Sequence, residues 1–156
     1  MFYVVMGVSG TGKSTIGELL AKRLELPYFE GDDFHPAENK KKMSSGIPLT
    51  DEDRWPWLKE LSEVIREQSK GVMACSALKG TYRDILREGG EVTFVYLTGD
   101  LELLRERMGG REGHFMPMGL LDSQLETLEV PQDAIRVDVS GTPEEIVEEI
   151  WGGIED

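Results

Sequence analysis

The residues from Gly7 to Ser14 have the spacing G-x-x-x-x-G-K-[ST] of a phosphate-binding loop, with an apolar run before it and a helical pattern after it. Glycines allow a tight turn whose backbone N–H groups converge on phosphate oxygens, and the helix N-terminus adds partial positive charge. Lys13 is expected to reach the outer phosphates, and the Ser14 hydroxyl to ligate Mg²⁺. A glycine-rich turn without a ligand is the alternative, but the flanking elements favour a nucleoside triphosphate site. The expected contacts are Gly7, Ser9, Gly10, Thr11, Gly12, Lys13, Ser14 and Thr15.

A second polar segment, Gly31 to Pro36, follows a short predicted strand. In open α/β sheets, ligands bind at the carboxyl ends of the strands. Asp32 is therefore expected to accept a proton from a substrate hydroxyl or to orient Mg²⁺-bound water. The alternative, which suits Asp33 better, is an acidic turn that caps the next helix. His35 is either a substrate contact or a structural loop residue.

Three cations are candidates for binding an anionic substrate. Arg54 lies in the first turn of a helix predicted to begin at a capping box of Thr50 and Asp53. A cation is unfavourable at that end of a helix, so its presence suggests an anionic ligand, although a solvent-facing arginine is the alternative. Lys79 and Arg83 are four residues apart on a later predicted helix, and we expect both to project from one face toward the same sheet edge.

Two further segments are predicted to cover the site. Residues 36–50 are polar and contain glycine, which indicates a helical cap over a substrate. Arg105, Arg107 and Arg111 cluster around paired glycines, which predicts a lid over residues 109–117 that delivers positive charge to a transferring phosphoryl group. A surface loop with solvated arginines is the alternative to the lid.

The elements that must position these residues alternate between strands and helices. Strands are predicted at residues 2–8, 28–30, 71–75, 91–97 and 134–139. This alternation predicts a single α/β domain over residues 1–156, with three layers and helices on both faces of a five-stranded parallel sheet. The first strand–helix–strand unit predicts a right-handed parallel crossover, and the expected strand order is 2-3-1-4-5.

The composition limits the classes of partner. The chain has 156 residues and a net charge of −13, which argues against nonspecific binding to nucleic acid. No apolar run approaches the ~20 residues of a membrane span, and nothing at the start resembles a signal peptide. The single cysteine, Cys75, fits a reducing cytoplasm. The acidic balance requires that the cations gather locally around any anionic ligand.

Four segments, 7–15, 30–57, 75–87 and 111–129, together resemble the small-molecule kinases related to shikimate and nucleoside monophosphate kinases, and most specifically the gluconokinases. The phosphate loop alone is shared by many NTPases. The patterns GD-x-x-H-P, CSALK-x-x-YRD and GHFM…SQ-x-ETLE are much more specific to gluconokinases. One departure is Glu30, at a position where aspartate is expected as often as glutamate.

The resemblance implies an enzyme that uses ATP and Mg²⁺ to phosphorylate D-gluconate at its 6-hydroxyl group, giving 6-phosphogluconate. Asp32 would hold or deprotonate the hydroxyl group, and together with Ser14 would hold the metal. Arg111 would cover the γ-phosphate, while Arg107 and Pro143 would flank adenine. The implied substrate contacts are Asp32, His35, Asn39, Arg54, Lys79, Arg83 and His114.

Three other functions stay open at this point. A shikimate kinase would share the fold but should lack the GHFM and ETLE segments, and a nucleotide kinase would need a base-binding pocket for its acceptor. A nucleotide-binding switch would need a water-positioning residue and effector loops, whereas this chain has Arg, Lys and His around a cleft. A homodimer is one expectation for the assembly.

Overall fold

The computed structural model describes residues 1–8, 10–109 and 118–155. The strands are β1 (Phe2–Met6), β2 (Tyr28–Glu30), β3 (Gly71–Ala74), β4 (Val92–Thr98) and β5 (Ile135–Asp138). The helices are α1 (Lys13–Leu24), α2 (Ala37–Ser44), α3 (Asp51–Gln68), α4 (Gly80–Arg87), α5 (Leu101–Gly109), α6 (Met118–Thr127) and α7 (Pro143–Glu155), with a 3₁₀ turn at Gly31–Phe34 after β2. The predicted alternation of strands and helices is confirmed.

The strands form one parallel sheet in the order β2-β3-β1-β4-β5, as predicted. The central strand β1 pairs Val4 with Met73 of β3 on one side and with Phe94 of β4 on the other. All three side chains are buried because helices cover the sheet on both faces. The carboxyl ends of β1, β2 and β3 therefore meet at one edge.

The helices bury apolar faces that their sequence spacing predicts. Ile16 and Leu20 of α1 are buried four residues apart, and α1 packs against α7. Leu58 and Leu61 of α3 join the same core, and α3 packs against α4. The core is thus continuous from one helical layer through the sheet to the other.

The predicted start of α3 is confirmed in atomic detail. The Asp53 N–H donates to the Thr50 hydroxyl over 3.1 Å, and the Thr50 N–H donates to the Asp53 carboxylate over 2.9 Å. This reciprocal pair satisfies two N–H groups that have no partner within the helix. The capping box fixes the start of α3 and therefore the position of Arg54 in its first turn.

Several predicted boundaries differ from the structure. β1 ends at Met6 rather than at Val8, because Gly7 has a φ of +151° and leaves the strand geometry. The predicted cap helix ends at Ser44, and residues 45–50 connect it to α3 without a helix. Lys79 precedes α4 as its N-cap in extended geometry, so the prediction that it lies on that helix was wrong.

Gly31 is a position where the fold has no room for a side chain. A Cβ atom there would lie 2.4 Å from the Ala74 carbonyl oxygen, a backbone atom of β3. We expect Gly31→Ala to lower the free energy of unfolding by about 1–3 kcal/mol, because the 3₁₀ turn must shift away from the sheet. Urea denaturation monitored by circular dichroism measures this change.

Gly152→Ala is the matched control for this substitution. Gly152 is exposed on α7 and a Cβ atom there would meet nothing within 4 Å. Since alanine has the higher helix propensity, stability should stay equal or rise slightly. Equal stability of both variants would contradict the close approach of Gly31 to β3.

Candidate active site

The loop between β1 and α1 has the geometry of an anion-binding cradle. A Cβ atom on Gly7 would lie 2.8 Å from the Leu97 carbonyl oxygen, so only glycine allows the loop to pass this close to β4. Gly12 is the N-cap of α1 with a φ of +84°, and no side chain caps the helix there. The first-turn N–H groups of α1 therefore face the loop, as phosphate binding requires.

Thr11 and Lys13 fix the loop from inside. The buried Thr11 hydroxyl donates to the Val8 carbonyl over 2.8 Å, and the Lys13 ammonium lies 3.3 Å from the same oxygen. Lys13 also lines the cleft described below, next to Asp32. Its charge is thus held at the mouth of the loop, where the outer phosphates of a nucleotide would lie.

The Ser14 hydroxyl is oriented by a residue that the sequence did not single out as a ligand. It donates to the Glu30 carboxylate over 2.5 Å, and the Tyr28 hydroxyl donates to the same carboxylate oxygen over 2.7 Å. Because the only Ser14 hydroxyl proton points to Glu30, the oxygen lone pairs are left for a cation.

This donor set suits Mg²⁺. Among the described residues, no three His, Cys, Asp or Glu side chains gather in a way that could enclose a metal ion. Mg²⁺ instead binds through one or two protein oxygens and the phosphates of its nucleotide, and it keeps several waters. Ser14 and Asp32 fit that pattern without a dedicated protein cage.

A cleft adjoins the phosphate loop. Its polar wall is formed by Lys13, Asp32, His35, Arg54 and Ser76, its apolar wall by Met43, Ile47, Pro48, Leu49, Trp57 and Leu78, and a third side by Ser123, Gln124 and Thr127 of α6. The last three belong to the SQ-x-ETLE pattern, yet their position in the cleft was not predicted.

Asp32 has a perturbed pKa within this cleft. Desolvation by the surrounding protein raises the pKa of its carboxyl group although the side chain is 54 % exposed, the ammonium of Lys13 opposes the rise, and the carboxylates of Glu30 and Asp33 add to it. A higher pKa makes the carboxylate a better proton acceptor. Asp33 does not line the cleft; it lines an adjoining groove with Lys40, and that groove shares Asp32 with the cleft.

His35 is held as a neutral ring in the wall of the cleft. It is buried and stacks on Trp57 with 3.9 Å between the ring centroids. Burial, together with the positive charges of Arg54 and Lys40, lowers its pKa to about 4. The Trp57 indole in turn donates to the Gly31 carbonyl over 2.8 Å, so one aromatic residue supports both His35 and the acidic turn.

Asn39 occupies a different place from the one its implied role requires. It is buried behind His35, its amide bonds to His35 and to the Asp53 carbonyl, and it does not line the cleft. The expectation of a direct substrate contact is therefore corrected. Asn39 supports a cleft residue rather than forming part of the wall.

Arg54 provides the guanidinium group of the cleft. A hydrogen-bond network outside the cleft orients this group. It donates to the Tyr82 hydroxyl over 2.8 Å, and that hydroxyl donates to Asp51. Asp51 also accepts from Lys79 over 3.0 Å. The guanidinium has five N–H donors, so this contact leaves others for a substrate anion. The solvent-facing alternative for Arg54 does not hold, because its side chain is only 15 % exposed.

Lys79 and Arg83 do not reach the cleft as expected. Lys79 pairs with Asp51 before α4 begins, whereas Arg83 is buried and donates to the carbonyl oxygens of Ala77 over 2.8 Å and Glu129 over 3.0 Å. The physical reason is that two backbone carbonyls, left free by a loop and by the end of α6, accept the Arg83 guanidinium. Arg83 joins segments of the fold at the back of the site.

A second hollow, of about 450 Å³, opens on the other side of the phosphate loop. Its lining includes Thr11, Gly12, Thr15, Leu103, Arg107, Pro143 and Ile146. Arg107 is fixed there by a 2.7 Å hydrogen bond to the Val139 carbonyl. The structure thus brings Arg107 and Pro143 together with the loop, where the base and ribose of a nucleotide have room.

Some predicted site residues lie outside the described part of the chain. They are Ser9, Arg111, His114 and, with them, nearly all of the lid predicted at 109–117.

Within the described residues, no helix combines the length and apolar character needed to cross a membrane.

The sheet order, the phosphate loop and the adjoining cleft define a P-loop kinase of small molecules, and the family model described as Shikimate kinase matches residues 9–151. Gluconokinase from Gluconobacter oxydans is 49% identical over 96% of this chain and 88% of its own length. Thermosensitive gluconokinase from Escherichia coli is 48% identical, over 88% and 79% respectively. The crystal structure of a gluconokinase from Sinorhizobium meliloti has 51% identity and a TM-score of 0.91, covering 98% of this chain and 90% of that one. The chain belongs to the gluconokinases within this family.

The Tyr82 hydroxyl should affect acceptor binding through Arg54. We expect Tyr82→Phe to raise KM for the phosphoryl acceptor about tenfold and to change kcat less than twofold, because Arg54 loses the group that orients it. Steady-state kinetics at saturating ATP measure both constants. Tyr3→Phe removes a hydroxyl outside the cleft and serves as the control; a Tyr82→Phe enzyme with unchanged KM would contradict this role.

Proposed function

We propose that the protein transfers the γ-phosphoryl group of ATP to the 6-hydroxyl group of D-gluconate, giving 6-phosphogluconate and ADP. The observation that carries this proposal is a single cleft, next to a phosphate loop, that contains both the Asp32 carboxylate and the Arg54 guanidinium. A carboxylate suits a hydroxyl group that must lose its proton, and a guanidinium suits a substrate carboxylate. The gluconokinases at 48–49% identity support the choice of gluconate.

The nucleotide would lie across the phosphate loop, with its base in the hollow near Arg107 and Pro143. Gly7, Ser9, Gly10, Thr11, Gly12 and Thr15 would supply the cradle for its phosphates. Lys13 would compensate the charge on the transferring group, which is the main requirement of phosphoryl transfer. Ser14 and Asp32 would hold a Mg²⁺ ion, which neutralises phosphate charge when ATP is bound.

The acceptor would bind on the opposite side of Lys13. Asp32 would take the proton of the attacking hydroxyl group, and Arg54 would hold the gluconate carboxylate. His35 would contact a hydroxyl group from the wall of the cleft. Arg111 would cover the γ-phosphate and His114 would contact the sugar acid, with residues 36–50 as cap and 109–117 as lid of one domain. A homodimer and a cytoplasmic location stay predictions.

The acceptor is tested by ADP release from Mg-ATP with gluconate, other sugar acids, shikimate, glycerate and nucleoside monophosphates. We expect selective turnover with gluconate and analysis of the product to place the phosphate on O6. Turnover with shikimate alone would contradict the proposed acceptor while leaving the phosphate site intact. Absence of turnover in a folded, ATP-binding protein would favour a nucleotide-binding switch.

Lys13→Ala tests the phosphate site itself. We expect kcat to fall by about 100-fold or more, because a preorganised positive charge on the transferring phosphoryl group is lost. The control is Lys22→Ala, which removes an exposed lysine of the same helix. Thermal unfolding checks that both variants fold, and full activity of a folded Lys13→Ala enzyme would refute the assignment.

A further inference from the structure

The contacts of the Asn39 amide determine which of its atoms faces which partner. Its nitrogen lies 2.8 Å from the Asp53 backbone carbonyl oxygen, and a carbonyl oxygen can only accept a hydrogen bond. The NH₂ group must therefore face Asp53. The same nitrogen lies 3.1 Å from Nδ1 of His35.

These two contacts use both protons of the Asn39 amide. One proton goes to the Asp53 carbonyl, and the other points at Nδ1 of His35, so that Nδ1 must accept. If Nδ1 carried a proton, its N–H group and the Asn39 N–H group would point at each other across 3.1 Å with no acceptor between them. In a neutral imidazole, a hydrogen bond accepted at one nitrogen leaves the proton on the other. The donor from Asn39 thus excludes both the doubly protonated ring and the Nδ1-protonated tautomer, so the ring proton resides on Nε2.

The Nε2 atom is the one that faces the reacting side of the cleft. It lies 3.8 Å from Oδ1 of Asp32, and both residues line the cleft. An N–H donor therefore lies beside a carboxylate acceptor. This pair complements a single alcohol group, which can accept from Nε2–H while it donates its own proton to Asp32.

The surroundings hold the His35 ring in this orientation. Trp57 stacks against one face with an angle of 16° between the rings. Asn39 itself is 3 % exposed, and Asp53, to which it bonds, is fixed in the capping box of α3. The hydrogen bond to Nδ1 is thus shielded from water, which would otherwise donate to or accept from either nitrogen.

We propose that Asn39 is a positioning residue that fixes His35 in the Nε2-protonated tautomer, so that His35 offers a donor beside Asp32 to the hydroxyl group that is phosphorylated. The tautomer follows from the contacts of Asn39 alone. The identity of the hydroxyl group rests on the proposed function. Asn39 acts through His35 and has no contact with the substrate.

Long-range ¹H–¹⁵N NMR of the imidazole rings tests the tautomer directly. The chain has two histidines, so His114→Gln identifies the His35 signals. At neutral pH we expect Nε2 at the shift of a protonated nitrogen and Nδ1 at that of an unprotonated one. In Asn39→Asp, a carboxylate faces Nδ1 and the pattern should invert. A wild-type ring protonated on Nδ1, or an unchanged pattern in folded Asn39→Asp, would overturn the proposal.

Kinetics then separate this role from a general structural one. Asn39→Asp should lower kcat/KM for gluconate about tenfold, whereas Glu38→Gln, an exposed neighbour on α2, should leave it unchanged. In a His35→Gln background the side-chain amide has no tautomer to lose, so the effect of Asn39→Asp should largely disappear. An equal effect in both backgrounds would contradict action through His35.

Asn39→Ala provides a second variant if the aspartate disturbs the fold near the Asp53 carbonyl. It removes the donor to Nδ1, and the ring should then show a mixture of both tautomers. A ring that stays purely Nε2-protonated in Asn39→Ala would overturn the proposal. If gluconate is not turned over but the wild-type ring is protonated on Nε2, the proposed function fails and the tautomer assignment stands.

Discussion

The parallel pairing of β1 with β3 and β4 is the constraint on which the site depends. It places the ends of neighbouring strands at one edge, and the pairing continues past the strands through the Cys75 N–H, which donates to the Val5 carbonyl over 3.0 Å. The phosphate loop, the acidic turn and Ser76 leave the sheet at this edge from three different strands. Each contributes to one cleft although they are far apart in the chain.

A chain with a net charge of −13 must still attract two anions, and the first turn of α3 shows how it does so. Asp51 and Asp53 each hold a particular cation near the cleft. Asp51 orients Arg54 through the Tyr82 hydroxyl. The Asp53 carboxylate accepts a hydrogen bond from the Lys42 ammonium over 2.9 Å. Acidic residues at this helix start are favourable for the helix dipole and at the same time hold cations in place near the cleft.

Features with a local cause were predictable from the sequence. The phosphate loop, the capping box of Thr50 and Asp53, and the strand order each follow from short-range patterns or from crossover rules. The directions of Arg83 and Asn39 were not, because each bonds to a backbone carbonyl from a distant part of the chain. Arg83 bonds to Glu129, 46 residues further along the chain, and only the folded backbone brings that oxygen within reach. The cleft residues on α6 were missed because only the folded chain brings that helix beside the cleft.

The double attachment of α2 to Asp53 has a mechanical consequence. Lys42 bonds to the Asp53 carboxylate and Asn39 to its carbonyl, so α2 is fastened at two points to the turn that also contains Arg54. Because α3 is itself anchored in the core through Leu58 and Leu61, a displacement of α2 that widened the cleft would have to break both bonds. The apolar cover near Met43 is thereby kept at a set distance from the guanidinium, so the same two bonds serve recognition of the acid group and exclusion of water.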